Sequence, residues 1–119
     1  MKVTDLMIGD LVQFDEDTCV IDELRVDGMA VLVAMNTDLT SVDGDQVDVE
    51  ELSPIELTEE ILVKNGWRKQ TMPYKDEWYG GISLFEEHGK FYYMDFKIEY
   101  VHQLQQLLRL AGVEKTIEL

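Results

Sequence analysis

A strand followed at once by an amphipathic helix is the feature that most restricts how this chain can fold. Residues 91–99 are rich in aromatic side chains, which favours a strand. Residues 100–112 follow with helical periodicity and end at Gly112, a typical helix C-cap. The helix must bury its apolar side chains, and the sheet beside it is the expected cover. These side chains form one stripe: Val101, Leu104, Leu107, Leu108 and Ala111.

Three strands are predicted to precede this helix as a meander. They cover residues 67–70, 78–85 and 91–99, and the last two are joined by a turn at residues 87–90. In the third strand, Asp95 marks its own face as the one toward solvent or a partner. Alternation assigns Phe91, Tyr93 and Asp95 to that face, and Tyr92, Met94 and Phe96 to the other.

A short helix is predicted before the meander. Thr58 is the expected N-cap, and Glu59 and Glu60 would lie in the first turn, where the helix dipole favours negative charge. Gly66 is placed to end the helix in the left-handed conformation. After the final helix, residues 115–119 are predicted as a last strand.

The first half of the chain has the pattern of an all-β unit. Short apolar runs alternate with turn residues, and Asp27 and Gly28 form a strong two-residue hairpin signal. Several short strands with tight turns in about fifty residues favour a small, strongly bent, barrel-like sheet. The predicted strands are residues 11–14, 18–26, 29–35 and 47–52.

These elements define an α+β fold. Pro54 interrupts strand pairing and marks a boundary between two halves. Residues 1–53 form a small all-β subdomain, and residues 54–119 form an α+β subdomain with a helix–β-meander–helix order. We expect the two halves to pack as one compact unit.

The charge is unevenly distributed along the chain. The 119 residues carry a net charge of −15. Residues 1–53 contribute −12 of this charge, from fourteen acidic and two basic side chains. Binding to a phosphate backbone requires the opposite sign, so direct nucleic-acid binding through the first half is not expected. The excess charge either serves solubility or forms a surface for a basic partner. The candidate acidic interaction surface is Asp43, Asp45, Asp48 and Glu50.

The titratable residues give little indication of catalysis. Cys19 is the single cysteine, so no intramolecular disulfide can form, and no basic neighbour in sequence would activate its thiol. Glu99 and His102 are spaced as neighbours on a helix and form the candidate functional polar pair, although packing or capping is the more usual explanation of such pairs. Gly44 with Glu50 has the spacing of a calcium loop, but the first ligand position would be Leu39. We therefore predict no catalytic residue, no cofactor and no metal site.

No segment has the length and hydropathy of a membrane span, and the N-terminus lacks the apolar run of a signal peptide. A cytoplasmic location without membrane contact is the simplest interpretation.

Three segments resemble a group of short uncharacterised proteins from Bacteroides and related gut bacteria, many of them encoded in prophages or other mobile elements. The segments are residues 54–67, the Tyr-Val-His-Gln-Leu-Gln run at residues 100–105, and the opening at residues 6–12. The resemblance covers both halves of the chain. It implies a bacterial cytoplasmic setting and a link to mobile DNA, but the group has no assigned activity, so it assigns no functional residue.

The leading hypothesis is a non-enzymatic protein-interaction module that binds an unidentified protein. The alternative is an acidic regulator that imitates nucleic acid and occupies the binding site of a host DNA-binding protein. An enzyme of unknown type is the third hypothesis. Homo-oligomerisation is compatible with all three.

Overall fold

The computed structural model describes residues 5–15, 17–25, 27–34 and 45–119. In these residues the chain forms two antiparallel sheets and two α-helices, which is a mixed α+β architecture. The spatial contacts between residues divide the chain into two compact units, Met1–Ile55 and Glu56–Leu119. From the sequence we placed the boundary between the two halves after residue 53 and expected the halves to pack as one unit. The packing of the two halves stays a prediction.

The first unit contains a four-stranded sheet in which neighbours along the chain are also neighbours in space. Its strands are β1 (Leu11–Phe14), β2 (Asp17–Leu24), β3 (Met29–Ala34) and β4 (Asp45–Asp48). The register shifts between Ile21 and Glu23, where β2 pairs with β3. Such a bulge bends a strand and increases its twist. The core of this unit includes Val12, Cys19, Ile21, Ala30 and Val47 from the sheet, and Val49 from the segment after β4.

Two tight turns of the first unit follow from local chemistry. The predicted hairpin at Asp27 and Gly28 is confirmed: Gly28 has a φ of 85°, and Met29 N donates to Asp27 Oδ1 at 3.1 Å. Before β1, the fully buried Asp10 accepts a hydrogen bond from Met7 N at 2.8 Å through its Oδ2.

The predicted strand at residues 47–52 is wrong in its second half. β4 ends at Asp48, and a 3₁₀ helix follows at Val49–Glu51. The cause is the side chain of Asp48, whose Oδ1 accepts a hydrogen bond from Glu50 N at 2.9 Å. This local bond offers the backbone an alternative to continued strand pairing.

The second unit contains a five-stranded sheet, again with consecutive strands as neighbours. Its strands are β5 (Arg68–Thr71), β6 (Asp76–Tyr79), β7 (Ser83–Glu87), β8 (Lys90–Tyr93) and β9 (Phe96–Ile98). Trp78, Leu84, Phe91 and Ile98 are buried. The paired registers place these four side chains on one face of the sheet.

The strand predicted at residues 91–99 is a hairpin. β8 ends at Tyr93, a two-residue turn follows with Met94 at a φ of 53°, and β9 begins at Phe96. The assignment of faces from alternation was therefore wrong: Phe91 is 5% exposed, whereas Phe96 is 69% exposed. Tyr93 pairs with Phe96 across the turn. Aromatic residues therefore stand on both sides of the turn, and the sequence pattern does not reveal where the strand breaks.

The strand predicted at residues 78–85 is also two strands. β6 ends at Tyr79 and β7 begins at Ser83. Gly80 occupies the break because its backbone lies against the indole of Trp67, and a Cβ there would come within 2.3 Å of the ring. Only glycine fits this close approach.

Both predicted helices are present. α1 (Glu59–Lys64) is capped by Thr58, whose Oγ1 accepts a hydrogen bond from Ile61 N at 3.3 Å. It ends at Gly66, which has a φ of 82°.

α2 spans Val101–Leu110 and buries Leu104 and Leu108. Its first turn is tied by Gln103, whose Oε1 accepts from Tyr100 N at 3.1 Å. Of the predicted stripe, Val101, Leu104 and Leu108 are buried, Leu107 is half-buried and Ala111 is exposed.

Residues 115–119 were predicted as a strand, and the structure shows none there. The side chain of Asn65, and not a neighbouring strand, makes the backbone hydrogen bonds described next for this segment. Its Nδ2 donates to Glu118 O at 2.7 Å, and its Oδ1 accepts from Glu118 N at 2.7 Å. Ile117 is buried as a result.

Among the helices that the structure describes, none is long and apolar enough to cross a membrane.

Candidate functional site

A groove of about 470 Å³ lies on the second unit, within the size range of ligand sites. The segment before α1 forms one wall because it pairs with the segment before α2: Leu57 N donates to Glu99 O at 2.9 Å, and Glu56 bridges to Tyr100. The turn between β7 and β8 contributes His88 and Gly89. The other lining residues are Lys90, Phe91, Lys97 and Ile98.

Lys97 and Glu99 form an ion pair in this groove. Lys97 Nζ lies 2.6 Å from Glu99 Oε1, and both side chains are about 40% exposed. The hydrogen bond from Lys97 lowers the pKa of Glu99, and the same contact raises the pKa of Lys97. Exposed ion pairs of this kind contribute little to stability. The groove therefore presents opposite charges side by side, together with the rings of Phe91 and Tyr100.

The predicted polar pair is divided between the groove and the core. Glu99 lines the groove and is paired with Lys97. His102 is 4% exposed and stacks on Tyr100, with ring centroids 5.8 Å apart and planes 8° from parallel. Tyr100 therefore contacts both the groove and His102. A joint role for Glu99 and His102 stays a prediction.

The predicted acidic surface is described only in part. Asp43 lies outside the described residues, and Asp45 belongs to β4. Asp48 and Glu50 are exposed, and the carboxylate of Asp48 caps the 3₁₀ helix. Capping of the 3₁₀ helix thus gives a structural role to one of the four acidic residues, Asp48. An interaction surface formed by the four residues stays a prediction.

A carboxylate cluster that sequence reasoning missed joins α1 to the sheet. It consists of Glu59, Lys69, Asp76 and Glu86. Lys69 Nζ lies 3.3 Å from Glu59 Oε1 and 3.2 Å from Asp76 Oδ2. Trp78 Nε1 donates to Glu86 Oε1 at 2.9 Å. Of this cluster, the sequence analysis had singled out only Glu59, as an acidic residue in the first turn of α1.

The pKa values of Glu59 and Glu86 are shifted in opposite directions. Burial raises the pKa of Glu86, and the carboxyl group of Glu59 raises it further. The pKa of Glu59 is lowered, first by Glu86 and then by Lys69.

Two exposed apolar side chains lie close together in sequence at one end of the second sheet, where β8 finishes and β9 begins. Met94 and Phe96 are 72% and 69% exposed and form what we term the apolar sheet end. Tyr79 is 61% exposed at the same end, but the paired registers place it on the opposite face of the sheet from Phe96. Sequence alternation had indicated a partner face on this hairpin, but on other residues.

Metal chemistry finds no support in the residues that the structure describes, where no group of three His, Cys, Asp or Glu side chains could hold an ion. Cys19 is fully buried in the first unit, as expected for an unreactive thiol.

No protein-family model, no curated protein and no solved structure matches this chain. The resemblance to the Bacteroides group therefore stays a prediction.

Proposed function

We propose that this chain is a non-enzymatic protein-interaction module of bacterial or prophage origin that acts in the cytoplasm. The observation that carries the proposal is the apolar sheet end. Met94 and Phe96 are each more than 60% exposed at the turn between β8 and β9. Neighbouring exposed apolar side chains mark interfaces more often than scattered ones do.

The partner we propose is a protein with an apolar hollow bordered by basic side chains. The hollow would receive Met94 and Phe96, which project from the β8–β9 hairpin. We propose basic side chains on the partner because of the net charge of −15, since complementary charge steers the encounter and excludes acidic partners.

We further propose that the first unit is a strongly bent, barrel-like sheet and that the second is a helix–β-meander–helix unit. The bulge in β2 and the core cluster of the first unit support the former. The consecutive order of the five strands between α1 and α2 supports the latter.

The test is site-specific photo-crosslinking in bacterial cells, with a photoreactive phenylalanine analogue at position 96. The control carries it at Tyr74, which is 95% exposed and lies between β5 and β6. We expect a discrete crosslinked protein from position 96 that is absent from position 74 and is lost when Met94→Asp is added.

Equal crosslinking from both positions would refute the apolar sheet end as the interface. Sedimentation of the purified protein identifies the occupant: association that Phe96→Asp abolishes would show that a second copy, and not a foreign basic protein, covers the surface.

A further inference from the structure

We infer that the partner binds by adding an extended strand to the outer edge of β9, antiparallel to it. The inference rests on the proposed function, because the added strand carries the side chain that packs on Phe96. It names the element of the partner that meets the apolar sheet end. β9 stands last in the order of the five-stranded sheet, so its outer side is an edge.

The backbone of β9 directs one residue outward. Tyr93 pairs with Phe96 across the two-residue turn, and Phe91 pairs with Ile98. The closing pair of such a hairpin exchanges both backbone hydrogen bonds, and this pattern repeats at every second residue. Phe96 and Ile98 therefore direct their N–H and C=O groups toward β8. Lys97, which lies between them, directs both of its backbone groups away from the sheet.

The chain already uses the neighbouring position on this edge. The backbone of Glu99 points to the same side as that of Lys97, and its carbonyl accepts a hydrogen bond from Leu57 N at 2.9 Å. The two segments form an antiparallel bridge there. The pairing stops at Thr58, where the chain turns into α1. Among the hydrogen bonds between described residues, none reaches the backbone of Lys97 from the outer side.

The side chains along this edge specify what the added strand contains. A residue opposite Phe96 lies on the same face, about 5 Å away, so an apolar side chain there covers the exposed ring. The next residue of the added strand lies beside Asp95, which is exposed and forms no ion pair with a described residue. A lysine or arginine fits this position. The added strand therefore has an apolar residue followed by a basic one.

A second copy of β9 does not fit this edge. Antiparallel pairing about Lys97 would place two lysines directly opposite each other. It would also place Asp95 of one copy opposite Glu99 of the other. Like charges in direct opposition destabilise a strand pair. The occupant is therefore a segment of a different protein, with the basic side chain that the acidic edge residue attracts.

The test begins with a selection of short random peptides, displayed on phage, against the purified full-length chain. We expect enrichment of peptides that contain an apolar residue followed by lysine or arginine. The enriched peptide is then labelled, and fluorescence anisotropy measures its affinity for the wild type and for the variants below.

Lys97→Pro removes the outward N–H and leaves the hydrogen bonds to β8, because an edge strand accepts proline where the N–H faces solvent. It should weaken peptide binding by at least about tenfold. Lys97→Gln keeps the N–H and should bind within about threefold of the wild type, since an exposed ion pair contributes little.

Thr71→Pro is the matched control on β5, at the opposite edge of the sheet. Met72 N donates to Lys75 O at 3.2 Å, so the alternation along β5 turns the N–H of Thr71 outward. This variant also loses an outward N–H from an edge strand. It should bind the peptide as tightly as the wild type does.

Amide hydrogen exchange, measured by NMR on the wild type, tests the edge without any substitution. In the free protein the Lys97 amide should exchange rapidly, whereas the Ile98 amide should be protected by its bond to β8. Addition of the peptide should slow exchange at Lys97 by at least about tenfold.

Protection of the Lys97 amide in the free protein would show that the edge is already occupied and would refute strand addition. A selection that yields no peptide sensitive to Lys97→Pro would refute it as well. A protein that crosslinks from position 96 but binds Lys97→Pro normally would overturn strand addition and leave the proposed interface standing. Peptide binding that depends on the Lys97 N–H, without crosslinking from position 96, would support strand addition and contradict the proposed interface.

Discussion

Two leucines of α2 show how far the environment of one residue decides its energetic role. Leu104 is fully buried, whereas Leu110, six positions later, is 84% exposed. Leu104 lies on the side of the helix that is buried in the core of the second unit, and Leu110 lies outside it.

Replacement of these leucines by aspartate should therefore have different effects. Leu104→Asp should lower the free energy of unfolding by about 3–5 kcal/mol, because it buries an unpaired charge. Leu110→Asp should change it by less than about 0.5 kcal/mol. Urea unfolding followed by tryptophan fluorescence measures both. Similar midpoints for Leu104→Asp and the wild type would contradict the packing of α2.

Asn65 also acts at the scale of one residue, because its amide holds the C-terminal tail through two hydrogen bonds to Glu118. Asn65→Ala should cost about 1–2 kcal/mol and accelerate hydrogen exchange at Glu118. Asn65→Asp keeps an acceptor for Glu118 N and should give an intermediate effect. Unchanged exchange at Glu118 in the alanine variant would show that other contacts fix the tail.

At the scale of elements, the β8–β9 hairpin combines a strained turn with an exposed apolar tip. Met94 adopts a φ of 53°, a conformation that costs an ordinary side chain about 1–2 kcal/mol. It is also 72% exposed, so packing does not compensate this cost. A methionine at this position accords with a contact outside the monomer.

Met94→Asn should therefore raise the free energy of unfolding by about 0.5–1 kcal/mol, because asparagine tolerates this conformation. Under the proposed function it should also weaken partner binding. Met72→Asn is the control, because Met72 is exposed but has no positive φ. The free energy of unfolding of this variant should stay within about 0.5 kcal/mol of the wild-type value. Destabilisation by Met94→Asn would show that the turn favours methionine.

At the scale of the molecule, net charge distinguishes the leading hypothesis from nucleic-acid mimicry. Fourteen acidic residues in positions 1–53 would attract any basic protein at long range. A mimic requires more, because charges in a row must hold the partner after contact.

The variant with Asp43, Asp45 and Asp48 changed to Asn and Glu50 changed to Gln tests this difference. Asn at position 48 preserves the cap of the 3₁₀ helix. We expect partner binding to change by less than about threefold, since the apolar sheet end is unaltered. The measurement is affinity for the crosslinked partner at two salt concentrations, with duplex DNA as competitor. Competition by DNA that the variant abolishes would instead establish mimicry.

The sequence by itself determined the features that depend on neighbouring residues. Thr58 and Gly66 define the ends of α1, and Asp27 with Gly28 defines a hairpin, because side-chain hydrogen bonds and backbone freedom act within three or four residues. Helical periodicity likewise located α2 and most of its buried side. The same reasoning placed Glu99 and His102 near one another in the chain.

Tertiary structure alone decided where strands break and which distant residues meet. Alternation with a period of two is the same before and after a tight turn, so residues 91–99 gave no sign that they form β8 and β9. The contacts of Glu59 with Lys69 and of Asn65 with Glu118 join distant parts of the chain. Such contacts depend on how the sheet and helices pack, and local propensity carries no information about them.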